Sequence, residues 1–158
     1  MDRTWECRSH LAGVDWTILK DDLGRDNFDN GRTADELRLS FERSHATVTV
    51  WCDRRVVGTA RVLSDGVCNA YIVDVWTQSS YRRQGIGTAM VRALLETVPG
   101  QHVALLTDKR SDLYSSLGFV GDDGGMSLVA GSWLNRAARA SSTARSSGHP
   151  RPSLHARP

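Results

Sequence analysis

Cysteine is scarce in this chain. Cys7, Cys52 and Cys68 are an odd number at wide spacing, so they build neither a disulfide framework nor a paired Cys-x-x-Cys metal site, and reduced thiols are expected. No apolar run approaches a membrane span, and the opening residues Met1-Asp2-Arg3-Thr4-Trp5-Glu6 lack the apolar stretch of a secretory signal. Both point to the cytoplasm and away from a membrane. His10, His45, His102, His149 and His155 show no ligand spacing, and no metal is expected. Lysine is nearly absent, with only Lys20 and Lys109 among twenty basic residues. That bias reads as the coding preference of a high-GC genome rather than as chemistry.

A cationic face for nucleic acid is missing too. Four of the twenty basic residues, Arg139, Arg145, Arg151 and Arg157, fall in a final stretch without acids, which leaves sixteen bases against eighteen acids over residues 1–136. A slightly acidic body cannot replace the counterions condensed on a duplex, so nucleic acid is not an expected partner. What is there is ordinary: 158 residues, 40% hydrophobic and 24% charged, suit one globular domain around one core. From Ala137 onward the chain is Ala, Arg, Ser, Thr, Pro, Gly and His with one leucine, Leu154. Such a stretch buries too little apolar surface to offset the entropy of ordering. The expected organisation is a domain over 1–136 and a disordered basic tail over 137–158.

Within the domain, Trp5 to His10 reads as a short opening strand. Trp16, Leu19 and Leu23 recur at helical spacing, and Thr33 with Glu36 forms a capping box ahead of Ala34, Leu37 and Phe41. Ala46, Val48 and Val50 alternate with polar or aromatic neighbours, Asp53-Arg54-Arg55 turns, and Val56 to Leu63 returns as a hairpin. Ala70 to Thr77 reads as a third antiparallel strand. A helix from about Gly85 to Val98 follows, stopped by Pro99-Gly100, then a buried strand from His102 to Leu106, a short helix from Ser111 to Leu117, and one or two closing strands from Phe119. The order predicts a mixed α/β sheet, mostly antiparallel, flanked by helices, with a parallel crossover around the long helix.

Tyr81-Arg82-Arg83-Gln84-Gly85-Ile86-Gly87-Thr88 joins a strand end to a helix start. Unpaired N–H groups converge at such a junction, the helix dipole favours anions, and glycine lets a phosphate approach the backbone. Arg82 and Arg83 can add charge-assisted bonds. The same two glycines would also serve a plain tight turn. A P-loop is excluded by the missing Lys-Ser/Thr, and a dinucleotide fold would place its glycines after the first strand.

The run Asp74-Val75-Trp76-Thr77-Gln78-Ser79-Ser80-Tyr81-Arg82-Arg83-Gln84-Gly85-Ile86-Gly87 resembles the acetyl-CoA signature of the GNAT family of N-acetyltransferases. Leu113-Tyr114-Ser115-Ser116-Leu117-Gly118-Phe119 is similar to that family's second signature, and Val56 to Arg61 to its third strand. Together they span roughly residues 45–130. The resemblance implies a strand ending at Thr77 that splays from its parallel neighbour, with pantetheine in the gap. Val75 and Thr77 would give backbone bonds to the pantetheine arm, and Arg82, Arg83, Gln84, Gly85, Ile86, Gly87 and Thr88 would hold the pyrophosphate. It further implies direct attack of an amine on acetyl-CoA, a backbone N–H near Trp76 or Thr77 on the thioester carbonyl, and Tyr114 as the acid for the departing thiolate. Asp74 is the candidate base, or an anchor for the acceptor ammonium. Thr107 and Arg110 stand where the family often has asparagine and alanine, and Tyr71 where some protein-acetylating relatives have a glutamate.

Asp21, Asp22, Asp26, Asp29 and Glu36 cluster in the first two helices and their connection. They form either an acidic rim that draws a small cationic amine or a solvated helix face. A protein amino group as acceptor, and an acyl-CoA-binding module without catalysis, stay open as alternatives. The oligomeric state is not set by the sequence, and a homodimer stays open.

Overall fold

The computed structural model describes residues 4–107, 111–121, 124–130 and 134. One five-stranded sheet runs in sequence order through β1 (Glu6–Arg8), β2 (Ala46–Cys52), β3 (Arg55–Ser64), β4 (Asn69–Thr77) and β5 (His102–Ala104). All neighbours are antiparallel except β4 and β5, which are parallel. The helices are α1 (Trp16–Arg25), α2 (Ala34–Glu42), α3 (Ile86–Leu95) and α4 (Ser111–Ser116).

The period-two alternation of the strands makes two cores, one per face. On one face Val48, Val50, Val57, Val62, Ile72 and Val75 pack against Ile86, Met90, Val91 and Leu94 of α3. On the other, Trp51, Val56 and Trp76 pack against Leu19 and Leu23 of α1 and Leu37 and Phe41 of α2. Both early helices are capped as their sequences demand. Asp15 accepts from the amides of Thr17 and Ile18 at 3.1 and 3.0 Å, and Thr33 and Glu36 close a reciprocal capping box.

Several expectations need correction at the carboxyl-terminal end. α3 ends at Leu95 and not Val98, because Thr97 and Val98 donate to carbonyls three residues back and tighten the last turn before Pro99-Gly100. β5 ends at Ala104 and not Leu106. The expected closing strands do not form among the described residues, where no strand follows β5. A pattern of short apolar runs cannot itself supply the neighbour that a strand needs. The expected tail, 137–158, lies outside the described residues.

Gly58 sits where β3 passes under the start of α3. A Cβ there would lie 3.1 Å from Ile86 Cγ2, 3.2 Å from Met90 Sδ and 3.3 Å from the Trp76 carbonyl oxygen. Gly58→Ala is therefore expected to cost about 1–3 kcal/mol, the usual penalty for overpacking. Urea denaturation checks this, and an unchanged midpoint would show that α3 can step back freely.

Candidate active site

The gap in the sheet follows from register. β4 pairs with β5 only through Asn69, Ala70 and Tyr71, so Ile72 to Thr77 have no strand partner on that side among the described residues. On the β3 side the register shifts between Thr59 and Arg61, leaving Asp74 and Val75 opposite Ala60. Within this bulge Asp74 has a left-handed φ of +54°. Beyond the bulge, Gln78 N–H donates to the Val57 carbonyl at 2.8 Å, and alternation then turns the Thr77 main chain toward the gap and that of Trp76 toward β3. The Thr77 carbonyl accepts from Arg82 Nε at 3.0 Å on that open side. Trp76, expected on the cofactor side, instead gives its main chain to β3 and its indole N–H to Asp26 at 3.0 Å.

The strand end leads through a 3-10 turn, Ser79–Tyr81, into the glycine loop. Gly85 caps α3 with φ +78°, a left-handed position suited to glycine, and the space where its Cβ would stand is open to 4 Å. No described residue accepts a hydrogen bond from the amides of Arg83 through Thr88. A cavity of about 280 Å³ lies over them, lined by Thr77, Tyr81, Arg82, Arg83, Gly85, Ile86, Gly87 and Thr88 and closed by Asp112, Leu113 and Ser116 of α4. Gln84, expected among the cofactor residues, is exposed and does not line this cavity. Thr77 Oγ1 is buried in the cavity wall without a hydrogen-bond partner among the described residues. Free amides at a helix start, an unpartnered hydroxyl and an unpaired strand edge fit a ligand with a diphosphate and an extended amide-bearing arm.

Asp26 ties the first helix to this loop. Its Oδ2 accepts from Trp76 Nε1 at 3.0 Å, from the Ser79 amide at 2.9 Å and from Arg82 Nη2 at 3.4 Å. Nothing local in the sequence pointed to that role, since Trp76 is fifty residues away.

Asp74 is the other unexpected arrangement. Its Oδ2 accepts from Arg32 Nη1 at 2.8 Å and from Arg61 Nε at 2.6 Å. The three side chains are only 9%, 13% and 9% exposed for Arg32, Arg61 and Asp74. Burial alone would push the Asp74 carboxyl up, but the Arg32 and Arg61 guanidiniums hold it below the ordinary aspartate value. Tyr71 stands nearby, its hydroxyl pushed up by burial and by the Asp74 charge.

Comparison with known proteins decides the lineage. The model of the acetyltransferase (GNAT) family matches residues 10–119. The chain belongs to the GNAT family. A GCN5-related N-acetyltransferase 1, chloroplastic, from Arabidopsis thaliana is 32% identical over 100 residues, covering 58% of this chain and 51% of its own. The chain thus spans about half the length of that curated relative. A GNAT-family structure from Xanthomonas campestris pv. campestris has the same fold, with a TM-score of 0.70, 21% identity, and coverage of 80% of this chain and 94% of its own. A predicted acetyltransferase from Clostridium acetobutylicum, solved with acetyl-CoA, gives a TM-score of 0.61 at 19% identity over 80% of this chain and 96% of its own.

In this GNAT domain Tyr114 does not face the loop cavity. It is buried, meets Phe119 edge to face at 5.9 Å between ring centres, and lines a separate cavity of about 330 Å³. That cavity runs along β5 and its extension, and includes Thr107, whose Oγ1 is buried without a partner among the described residues. The helical period of α4 explains the split, with Asp112, Leu113 and Ser116 on one side and Tyr114 and Ser115 on the other. The acidic cluster is mostly engaged inside the protein. Asp22 pairs with Arg25 and Arg55, Asp26 holds the loop, Asp29 takes Lys20 and the Gly31 amide, and Glu36 caps α2. Asp21 alone of the five is exposed without a recorded partner among the described residues. Among the described residues no group of His, Cys, Asp or Glu could hold a metal, and no helix there is long and apolar enough to cross a membrane.

Proposed function

We propose that this chain transfers an acetyl group from acetyl-CoA to the primary amine of a small molecule, cationic until it gives up its proton. The observation that carries the reading is the set of amides from Arg83 to Thr88 that no described residue claims, beneath a cavity that reaches Thr77 at the end of the β4 edge left unpaired by β5. Acetyl-CoA supplies an activated thioester. This chain's own groups do the rest. The loop amides and a guanidinium take the diphosphate, and the open side of Thr77 takes the arm. The ammonium first releases a proton to water, and the free amine then attacks the thioester carbonyl, so that a C–N bond forms as the C–S bond breaks and the second amine proton also passes to water. A main-chain amide beside the bulge polarises the carbonyl, and the Tyr114 hydroxyl gives its proton to the departing sulfur and is reprotonated from solvent.

Asp74 is assigned here to bracing the bulge rather than to accepting the amine's proton. A carboxylate whose pKa lies below the ordinary value and whose oxygen already serves two guanidiniums is a poor base for an ammonium of pKa about 10. With four of the five helix acids engaged inside the protein, the acidic cluster lends a cationic acceptor little support.

Calorimetric titration with acetyl-CoA, followed by free-thiol release against a panel of small amines and of peptides, tests the reading. Binding near or below 100 μM with turnover on small amines is expected, within the ordinary range for enzymes. Turnover on peptides alone would move the acceptor to protein amino groups. Absence of binding would remove the acetyl-transfer reading altogether.

A further inference from the structure

The buried cluster at the β4 bulge holds two guanidiniums against one carboxylate, which leaves a positive charge over. Arg32 comes from the connection between α1 and α2, Arg61 from β3 and Asp74 from the bulge itself. Among the described residues no second acid pairs with either arginine. A surplus charge with so little water around it is costly to keep. The bonding is incomplete as well. Both arginines donate to the same carboxylate oxygen, Asp74 Oδ2, at 2.8 and 2.6 Å. Arg61 also gives Nη1 to the Ser40 carbonyl and the Ser44 hydroxyl, and Arg32 gives Nη1 to the Ser40 hydroxyl at 2.8 Å. Arg32 Nε is left buried without a partner among the described residues, on a side chain only 9% exposed. A buried charged donor with no acceptor calls for an explanation.

Its place in the sheet supplies one. Arg61 stands opposite Val73 and Leu63 opposite Tyr71, so Tyr71 shares the face of Arg61. Tyr71 is half-buried and ends the pairing with β5, and Asp74 lies in the stretch beyond it that has no strand partner on that side among the described residues. The cluster thus borders the gap, three residues before Thr77. The other face of β4 is filled by Ile72, Val75 and the apolar side of α3, so the polar approach to the gap is this one. We infer that the acceptor carries an acidic group, a carboxylate or a phosphate, as well as its amine, and that Arg32 binds this group beside Tyr71. An anion there brings the cluster to neutrality and meets the remaining guanidinium N–H groups with the planar acceptor they fit. Asp74 then holds the two arginines in place and does not anchor the ammonium. The inference rests on the acetyl-transfer reading and narrows its acceptor to an amine that bears an acid.

Steady-state kinetics with matched amines test it. Amino acids are compared with their carboxamides, and aminoalkyl phosphates with the parent amino alcohols, in wild type, Arg32→Met and Arg32→Lys. Wild type is expected to favour the acid-bearing members of one series by about tenfold or more in kcat/KM, the scale of a hydrogen bond to a charged group. A preference in the first series identifies a carboxylate, and one in the second a phosphate. Arg32→Met should bring that preference to within about threefold through KM and not kcat, because the lost contact binds substrate and transition state alike. Arg32→Lys should keep part of it by keeping the charge. Wild type that treats both series alike, that favours the uncharged members, or that turns over neither series would overturn the inference, as would a preference that survives Arg32→Met. The wild-type comparison needs no variant, so a misfolded Arg32→Met cannot shelter the proposal. Turnover of non-acidic amines without preference leaves acetyl transfer standing, whereas protein that binds no acetyl-CoA sinks that reading first and this inference with it.

Discussion

Asp74→Asn is expected to destabilise the domain by about 3–5 kcal/mol, the cost of leaving buried charge without its counter-ion. Among the described residues the carboxylate is the one anion paired with both Arg32 and Arg61, and all three side chains are nearly closed to solvent. Its loss strands two guanidiniums. The reverse change is much milder. Arg32→Met leaves Asp74 paired with Arg61 and is expected to cost only about 1 kcal/mol, the net worth of an ordinary hydrogen bond. Equilibrium denaturation in urea of the two variants measures the asymmetry. Equal losses, or a loss below about 1 kcal/mol for Asp74→Asn, would show that water reaches the cluster and that burial is not what makes it costly.

The pH dependence has a definite sign. Because the folded Asp74 pKa lies below its ordinary value, this group adds stability at pH above its unfolded pKa of about 3.9 and loses that contribution as pH falls through the lower folded value. The wild-type protein should therefore weaken in acid below about pH 4, and Asp74→Asn should weaken less over that range. The variant also separates two roles. A residue acting only as a base would lose turnover and keep its urea midpoint, whereas a brace loses the midpoint first.

Tyr114→Phe is expected to lower kcat about a hundredfold while changing stability by about 1 kcal/mol or less. The substitution keeps the ring that packs edge to face on Phe119 and the buried contacts of α4, and removes only the hydroxyl. The factor belongs at the lower end of acid catalysis because the departing thiol, with a pKa of about 8.5, already leaves readily. Steady-state kinetics with an accepted amine measure it. A kcat for Tyr114→Phe within about threefold of wild type, far short of the factor expected of a lost acid, would return Tyr114 to packing alone and leave the sulfur to be protonated by water.

Much of the fold was legible because it rests on local rules. The capping box at Thr33 and Glu36, the alternation of β2 and β3, and the glycine-marked start of α3 are set by residues within one or two turns of each other. Spacing alone left the loop at Arg82 to Thr88 open between a phosphate cradle and a plain tight turn. The lack of closing strands among the described residues, the shorter β5 and the roles of Asp26, Arg32 and Gly58 could not be read from local rules. Asp26 meets Trp76 across fifty residues, and Arg32 meets Asp74 across forty-two. A glycine inside β3 hinted at a close approach at Gly58, but only packing names Ile86 and Met90 as what approaches. The acidic cluster misled for the same reason. A run of carboxylates looks like a rim until their partners, Arg55 and Lys20 among them, are found folded back on them.

The chain's own order of residues determined the element types, the left-handed glycine turn, and which family signatures sit where, because each depends on steric and hydrogen-bonding preferences within a few residues. Tertiary structure alone decided where β4 and β5 part, that Arg82 is held by Thr77 and Asp26, and that Asp74 is buried between two guanidiniums. Those outcomes depend on register and on contacts between segments far apart in the chain, and no local preference encodes them.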